Sequence, residues 1–295
     1  MKAALLPDRG VVKVIGDEAR AFLNGLFTTD IGRVAPDNAC FAALLTPQGK
    51  IIVDAIVAEA PARDGGGFFL DVPKALAKTC VDRLNFYKLR AKVIIEDLSE
   101  VLGVMAAWEG EAVTEYGLCY CDPRLPALGW RVMLPAHVAA EAAADLGAEL
   151  VPAAAFEAHR IALGVPRGGF DFIYGDAFPH EADMDQLRGV DFHKGCFVGQ
   201  EVVSRMEHRG TARTRIVPVA YDGFAPDAGA AVTAAGKQVG TFGSSAGGRA
   251  LAMLRLDRTE DALATGHDLV AGTVTLRLVK PNWARFAFPG QRKVG

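Results

Sequence analysis

Apolar positions along this chain come mostly in short runs separated by Gly- and Pro-bearing breaks. Residues 11–15 read as a strand stopped by Gly16-Asp17, and Phe22, Leu23, Leu26 and Phe27 then share one helical face. Residues 41–45 and 51–57 read as two strands around Thr46-Pro47-Gln48-Gly49, with Pro and Gly where a tight turn favours them. After the Gly65-Gly66-Gly67 break, residues 68–72 form a strand. Pro73 is expected in the first turn of a helix running through Leu76, Val81 and Leu84 toward Tyr87, and residues 92–97 return as a strand. Adjacent strands mixed with single helices predict an α+β fold with antiparallel sheet.

Further along, residues 136–146 and 153–163 read as helices, the second ended by Gly164-Val165-Pro166-Arg167-Gly168-Gly169. A long loop carrying Tyr174, Asp176, Pro179, His180 and Glu181 leads into Asp191-Phe192-His193-Lys194-Gly195-Cys196-Phe197-Val198-Gly199-Gln200-Glu201. Val202, Val203 and Met206 give the next helix its apolar stripe, and Gly210 stops it. Beyond Gly210 the texture changes. Residues 216–221, 238–242, 250–256 and 274–279 alternate with Gly-containing turns, as in a small all-β barrel or sandwich. The domain boundary is placed near Thr211, giving domains 1–210 and 211–295.

Composition narrows the function classes. The 295 residues are 51% hydrophobic and 23% charged, ordinary for a globular protein. A net charge of −3 weighs against a general electrostatic grip on nucleic acid or anionic membrane. Five cysteines (Cys40, Cys80, Cys119, Cys121, Cys196) do not suggest a disulfide framework. The opening MKAALLPDRG resembles neither a secretion signal nor an organelle import leader, and no run approaches the roughly 20 apolar residues of a membrane span. The expectation is a cytoplasmic protein with no membrane partner.

Cys196 is the first chemical candidate. A cysteine at the mouth of a helix, behind the cation Lys194, is placed to favour thiolate; the alternative is a small buried filler. Gly195 and Gly199 free the backbone to turn sharply or approach a partner. Glu181, behind Pro179 and His180, could accept two parallel N–H bonds from the amino-pyrimidinone edge of a pterin or purine; a solvated loop acid is the alternative. Arg205, Arg209, Arg213 and Arg215 make a cationic strip that could hold carboxylates or phosphates, or be a wet surface. Gly240 to Gly248 lacks the ending of a phosphate loop and reads as a hairpin turn. Cys119-Tyr120-Cys121 lacks further ligands at metal spacing, so no metal site is expected.

Lys194-Gly195-Cys196-Phe197-Val198-Gly199-Gln200-Glu201 resembles the signature of the YgfZ-type folate-binding proteins, with Phe197 at the usual tyrosine. Phe22 to Asp30, Leu45-Thr46-Pro47-Gln48-Gly49-Lys50, Gly164-Val165-Pro166, Pro179-His180-Glu181-Ala182 and residues 209–213 extend the likeness. That family is similar in fold to the glycine cleavage T-protein, an aminomethyltransferase. The resemblance implies two α+β subdomains and a C-terminal β-barrel arranged as a ring. It implies tetrahydrofolate, or a derivative, as cofactor, with Glu181 on the pterin and His180, Phe197, Gln200, Glu201, Arg205 and Arg209 as further candidate contacts. The T-protein's aspartate pair is reduced here to Asp54, in Ile52-Val53-Asp54, without assigning which member it replaces. The implied role is assembly or repair of iron–sulfur clusters, with assembly or client proteins as partners and a transient cluster at Cys196. A lone thiol must share such a cluster, which usually takes four cysteine ligands. The candidate catalytic residues are Cys196, Lys194 and Asp54; the alternatives are a one-carbon transferase or demethylase using Asp54 as acid/base, and a tRNA-facing module using the 205–215 arginines.

Overall fold

The computed structural model describes residues 1–210 and 212–290; Thr211, where the boundary is expected, and residues 291–295 lie outside the described residues. The chain divides into two compact units. One holds Met1–Phe156 and Leu187–Glu201, the other Glu157–Gln186 and Val202–Gly295. The unit containing the C-terminal strands therefore also takes in residues 157–186, far upstream of Thr211.

In the first unit the strands are β1 (Lys2–Leu6), β2 (Arg9–Ile15), β3 (Cys40–Leu45), β4 (Ile51–Glu59), β5 (Phe68–Pro73), β6 (Ile94–Asp97), β7 (Gly103–Trp108), β8 (Leu118–Cys121), β9 (Trp130–Leu134) and β10 (Glu149–Leu150). The helices are α1 (Ala19–Asn24), α2 (Ala77–Lys88) and α3 (Ala139–Asp145). Two five-stranded sheets result, ordered β3-β4-β5-β2-β6 and β10-β1-β7-β9-β8. They interleave in sequence, because β1 belongs to the second sheet and the chain returns to it only at β7. All pairs are antiparallel except β1 with β10. Leu23 and Phe27, from and just after α1, and Cys80 and Leu84 of α2 join Val12, Leu44 and Leu70 in the core of the first sheet. Ala142 and Ala143 of α3 pack with Met105, Val132 and Leu134 against the second. With both faces covered, β3 is buried along its whole length and loses the alternation of a half-solvated strand.

Pro73 ends β5, and a 3-10 turn over Lys74–Leu76 precedes α2, so the proline does not open the helix as expected. A proline accepts no ladder duty through its missing N–H, which suits a strand end as well as a helix start. Cys119 and Cys121 alternate along β8, an edge strand.

A chain of buried ion pairs joins the two sheets of this unit, unforeseen in the sequence. Asp71 accepts Arg9 Nε at 2.5 Å and lies 3.4 Å from Arg131 Nη1. Asp122 accepts Arg131 Nε at 3.1 Å and is forked by Arg124 at 2.9 and 2.6 Å.

The division along the chain falls within two helices, α4 (Ala153–Ala162) and α5 (Gln200–Arg209). In the second unit β11 (Thr214–Ala220), β12 (Ala231–Ala234), β13 (Lys237–Ala246), β14 (Arg249–Arg255), β15 (Leu269–Ala271) and β16 (Val274–Leu278) close into a barrel ordered β11-β14-β13-β12-β15-β16. Val217, Val219, Phe242, Ala252 and Leu254 fill it. The segment tested as a phosphate loop is the second half of β13 and its turn, with Gly247 and Gly248 both at positive φ. Helix α6 (Leu256–Ala264) follows β14 directly. No helix among the described residues is long and apolar enough to cross a membrane.

Candidate functional site

The first unit holds Cys196, Lys194, Phe197 and Asp54. The Cys196 thiol is free and exposed, on a loop that ends at α5. Two contacts hold that loop. The Lys194 ammonium donates to three backbone carbonyls at and after the end of α1, Asn24 at 2.7 Å, Phe27 at 2.6 Å and Thr29 at 3.0 Å, and stands 5.3 Å from the Phe197 ring centroid. At the loop's far end Gly199 adopts φ +81°, and a Cβ there would meet the Thr46 carbonyl oxygen at 2.6 Å. The turn between β3 and β4 and the cysteine loop, two separate motifs in the sequence, are thus packed backbone to backbone. Gly195 has open space around it, so close approach is a requirement of Gly199 alone.

These contacts correct the expected role of Lys194. Its charge is committed to carbonyls, which makes it a positioning residue for the loop. Burial lowers its ammonium to about 8 against the opposing pull of Asp30 and Asp191. Cys196 also lies four residues ahead of α5, outside the first turn where a helix dipole is concentrated, so the expected helix-mouth placement does not hold. Burial pushes the Cys40 thiol up to about 11 and Cys80 to about 12, and raises Cys119 and Cys121 as well. Cys40 and Cys80, both buried, are thereby structural thiols.

Asp54 is buried on β4 opposite Ala43 of β3. Burial works against the Arg124 charge and is outweighed by Asp122 and, further down, by Asp54, so the carboxylate belongs to the surroundings of this guanidinium. Arg124 also lies 5.6 Å from the Phe41 ring centroid. Nothing in the sequence pointed to this electrostatic influence of residue 54 on residue 124, which the folding of the first unit creates. Gln200 and Glu201 open α5, half-buried and exposed respectively.

The second unit holds Glu181, His180, Arg205 and Arg209. Glu181 Oε2 accepts the Phe178 N–H at 2.9 Å, which orients the carboxylate across its own turn. A carboxylate has about four lone-pair sites, so one internal bond leaves acceptor capacity for a pterin edge, and Glu181 fits that ligand. His180 is buried, with Nε2 3.0 Å from Glu207 Oε2 of α5. His180, but not Glu181, lines a cavity of about 810 Å³ together with Met206, Arg213, Arg285 and Phe286.

Arg205 and Arg209 are exposed on α5, whereas Arg215 is buried. Its guanidinium donates to Asp183 at 3.0 Å, to the His180 carbonyl at 2.9 Å and to both Asp185 oxygens at 2.9 and 2.8 Å. The expected strip of four arginines therefore loses Arg215 to the interior of its own unit. Burial raises the Asp183 carboxyl well above the usual range despite Arg215, whereas Asp185, also desolvated, is lowered by the same arginine. His180, Asp185 and Glu207 offer ligand atoms within 4.8 Å of one another. Both oxygens of Asp185 already accept N–H bonds from Arg215, and we assign no metal there.

Comparison with known proteins connects these features. Residues 213–286 match the family described as CAF17, C-terminal beta-barrel domain. The mouse "Iron-sulfur cluster assembly factor IBA57, mitochondrial" is 30% identical over 313 residues, covering 94% of this chain and 84% of that protein. The IBA57 homologue of Mycosarcoma maydis is 34% identical over 232 residues, covering 75% of this chain. That match spans only 57% of the fungal protein's length. The homologue of Coccidioides immitis is 29% identical over 311 residues, 89% of this chain and 73% of its own. These relatives are named as mitochondrial, which overturns the expectation of a cytoplasmic protein. In fold, the chain is similar to the glycine cleavage system aminomethyltransferase T of Bartonella henselae, with a TM-score of 0.75 at 17% identity over 94% of this chain and 84% of that one. The α+β sheets with a C-terminal barrel are thereby the T-protein fold.

Proposed function

Because the chain belongs to the IBA57 family of iron–sulfur cluster assembly factors, we propose that it serves cluster assembly as a tetrahydrofolate-binding protein whose Cys196 thiol completes a cluster site on a partner. The observation that carries the reading is the cysteine loop itself. An exposed thiol stands on a segment fixed by the Lys194 ammonium at one end and by the Gly199 contact at the other. A cluster usually takes four cysteine ligands, so Cys196 supplies one and assembly or client proteins supply the rest. Glu181, pre-oriented by Phe178, is the anchor for the pterin, with His180, Arg205 and Arg209 of the same unit as candidate contacts. Bound folate would supply a one-carbon carrier; the protein's part is to hold its pterin edge.

The test is complementation in cells lacking the endogenous factor, reading the activity of a four-iron enzyme. Cys196→Ala is expected to leave that activity at the level of the deletion, while the melting temperature and tetrahydrofolate affinity of the purified variant stay at wild-type values. Full complementation by the variant would remove the thiol from the mechanism. One-carbon transfer through Asp54 is the second reading, favoured by the placement of that carboxylate beside Arg124, on the strand that follows the turn packed on Gly199. Failure to form methylene-tetrahydrofolate from a broad set of amine donors would discard it.

A further inference from the structure

The stretch that runs off α2 into β6 presents an unusual surface. Phe86, Leu89 and Ile94 are 69%, 89% and 55% exposed, so three large apolar side chains stand in solvent within one short segment. The same stretch carries Arg83, Lys88, Arg90 and Lys92, and no acid between Asp82 and Glu96. Among the described residues, none of these four cations has an ion-pair partner, although shorter-range pairs such as Lys78 with Asp82 form nearby. Leu89 sits at φ +44°, a region that a branched side chain occupies only against a steric cost. A strained backbone that displays a leucine to water is not explained by packing. Finally, β6 is the edge of its sheet, hydrogen-bonded to β2 on one side, with its other edge unpaired among the described residues. Edge strands left open in this way are templates for another chain.

We propose that the α2–β6 corner docks an extended, acidic segment of a partner protein. The segment's carboxylates pair with Arg83, Lys88, Arg90 and Lys92, its apolar side chains cover Phe86, Leu89 and Ile94, and its backbone adds to the free edge of β6, as strand-adding peptides do. Charge complementarity selects the occupant: four cations without an ion-pair partner among the described residues, in the same stretch as Phe86, Leu89 and Ile94, match acidic and aliphatic residues. The segment's acids are directed to the α2 end of the corner, because Glu96 and Asp97 lie on β6 and Glu18 accepts the Lys92 backbone N–H. Two of the three exposed apolar side chains are aliphatic and offer no face for base stacking, which favours protein over RNA. The surface is distinct from the Cys196 loop and does not depend on the folate reading.

The probe is a fluorescein-labelled, capped peptide of alternating Glu and Val, titrated with the full-length protein and read by anisotropy. Saturable binding that weakens with added salt is expected. The double variant R90E/K92E and the single variant Leu89→Asp should each weaken it by about tenfold or more, as for central anchors of an interface. Leu89→Gly suits the positive φ, so it should melt no lower than wild type while also losing affinity; it keeps the test open should Leu89→Asp not fold. A matched peptide of alternating Lys and Val should not bind. The proposal is overturned by absence of binding to the acidic peptide, by unchanged affinity in R90E/K92E or Leu89→Gly, or by tighter binding of poly(U) RNA through the same residues.

Discussion

At the scale of single residues, two glycines that look equivalent in Lys194-Gly195-Cys196-Phe197-Val198-Gly199 separate sharply. Gly195→Ala places its methyl in open space and should change stability by no more than about 0.5 kcal/mol. Gly199→Ala must hold an alanine at φ +81° with its Cβ 2.6 Å from the Thr46 oxygen, and should cost about 2–4 kcal/mol. Urea unfolding of the two variants checks this; equal midpoints would refute the backbone contact. Lys194 carries a related lesson. Its sequence position behind the cysteine suggested charge acting on sulfur, yet its ammonium serves three carbonyls contributed by residues 24 to 29. Side-chain type was legible there, but the partner was not, because the partners are backbone atoms, which any sequence possesses.

At the scale of elements, strands bounded by Gly and Pro were legible where a tight turn joined two apolar runs, as for β3 and β4. Helix α6 was not, since Leu256-Asp257-Arg258-Thr259-Glu260-Asp261-Ala262-Leu263-Ala264 follows β14 without a break residue. The ion-pair chain across the two sheets was equally hidden, because its members come from β2, β5, β9 and the loop after β8. Its central carboxylate has a pH consequence. Burial alone would raise Asp122, but the Arg124 fork, and then Arg131, outweigh it and hold the carboxyl well below the usual range. In acid the unfolded chain takes up a proton near pH 3.9 that the native chain refuses, so the unfolded state binds more protons. This contribution is therefore complete above about pH 4 and is lost as the pH falls below it. Asp122→Asn should cost about 3–5 kcal/mol near neutrality, by leaving buried guanidinium groups uncompensated, and should flatten the acid slope. Stability measured at neutral pH and near pH 3 tests both; an unchanged slope in the variant would assign acid sensitivity elsewhere.

For the whole molecule, the T-protein fold supplies the scaffold, and the proposed folate binding has a measurable global consequence. A ligand that binds only the native state adds about 2.7 kcal/mol when present at about 100 times its Kd. Tetrahydrofolate should therefore raise the melting temperature of the wild type, and Glu181→Ala should abolish the rise. The variant's own stability should fall by only about 1 kcal/mol, the loss of the bond to the Phe178 N–H. A full thermal shift in Glu181→Ala would move the pterin away from this carboxylate. The arginine strip illustrates the limit of reading surfaces from composition. Arg205 and Arg209 remain on the exposed face of α5, whereas two carboxylates two residues apart, Asp183 and Asp185, draw Arg215 inside.

The sequence by itself determined the class of fold, because strand-length apolar runs, turn residues and a change of texture after Gly210 are local signals that survive without a structure. It also marked Cys196 and Glu181, whose residue types carry their chemistry with them. Tertiary structure decided which groups those residues meet. The seat of Lys194 among carbonyls, the pressure of Thr46 on Gly199 and the capture of Arg215 all join positions far apart in the chain. Each depends on Coulombic and steric distances that fall to a few ångströms only once the units have folded.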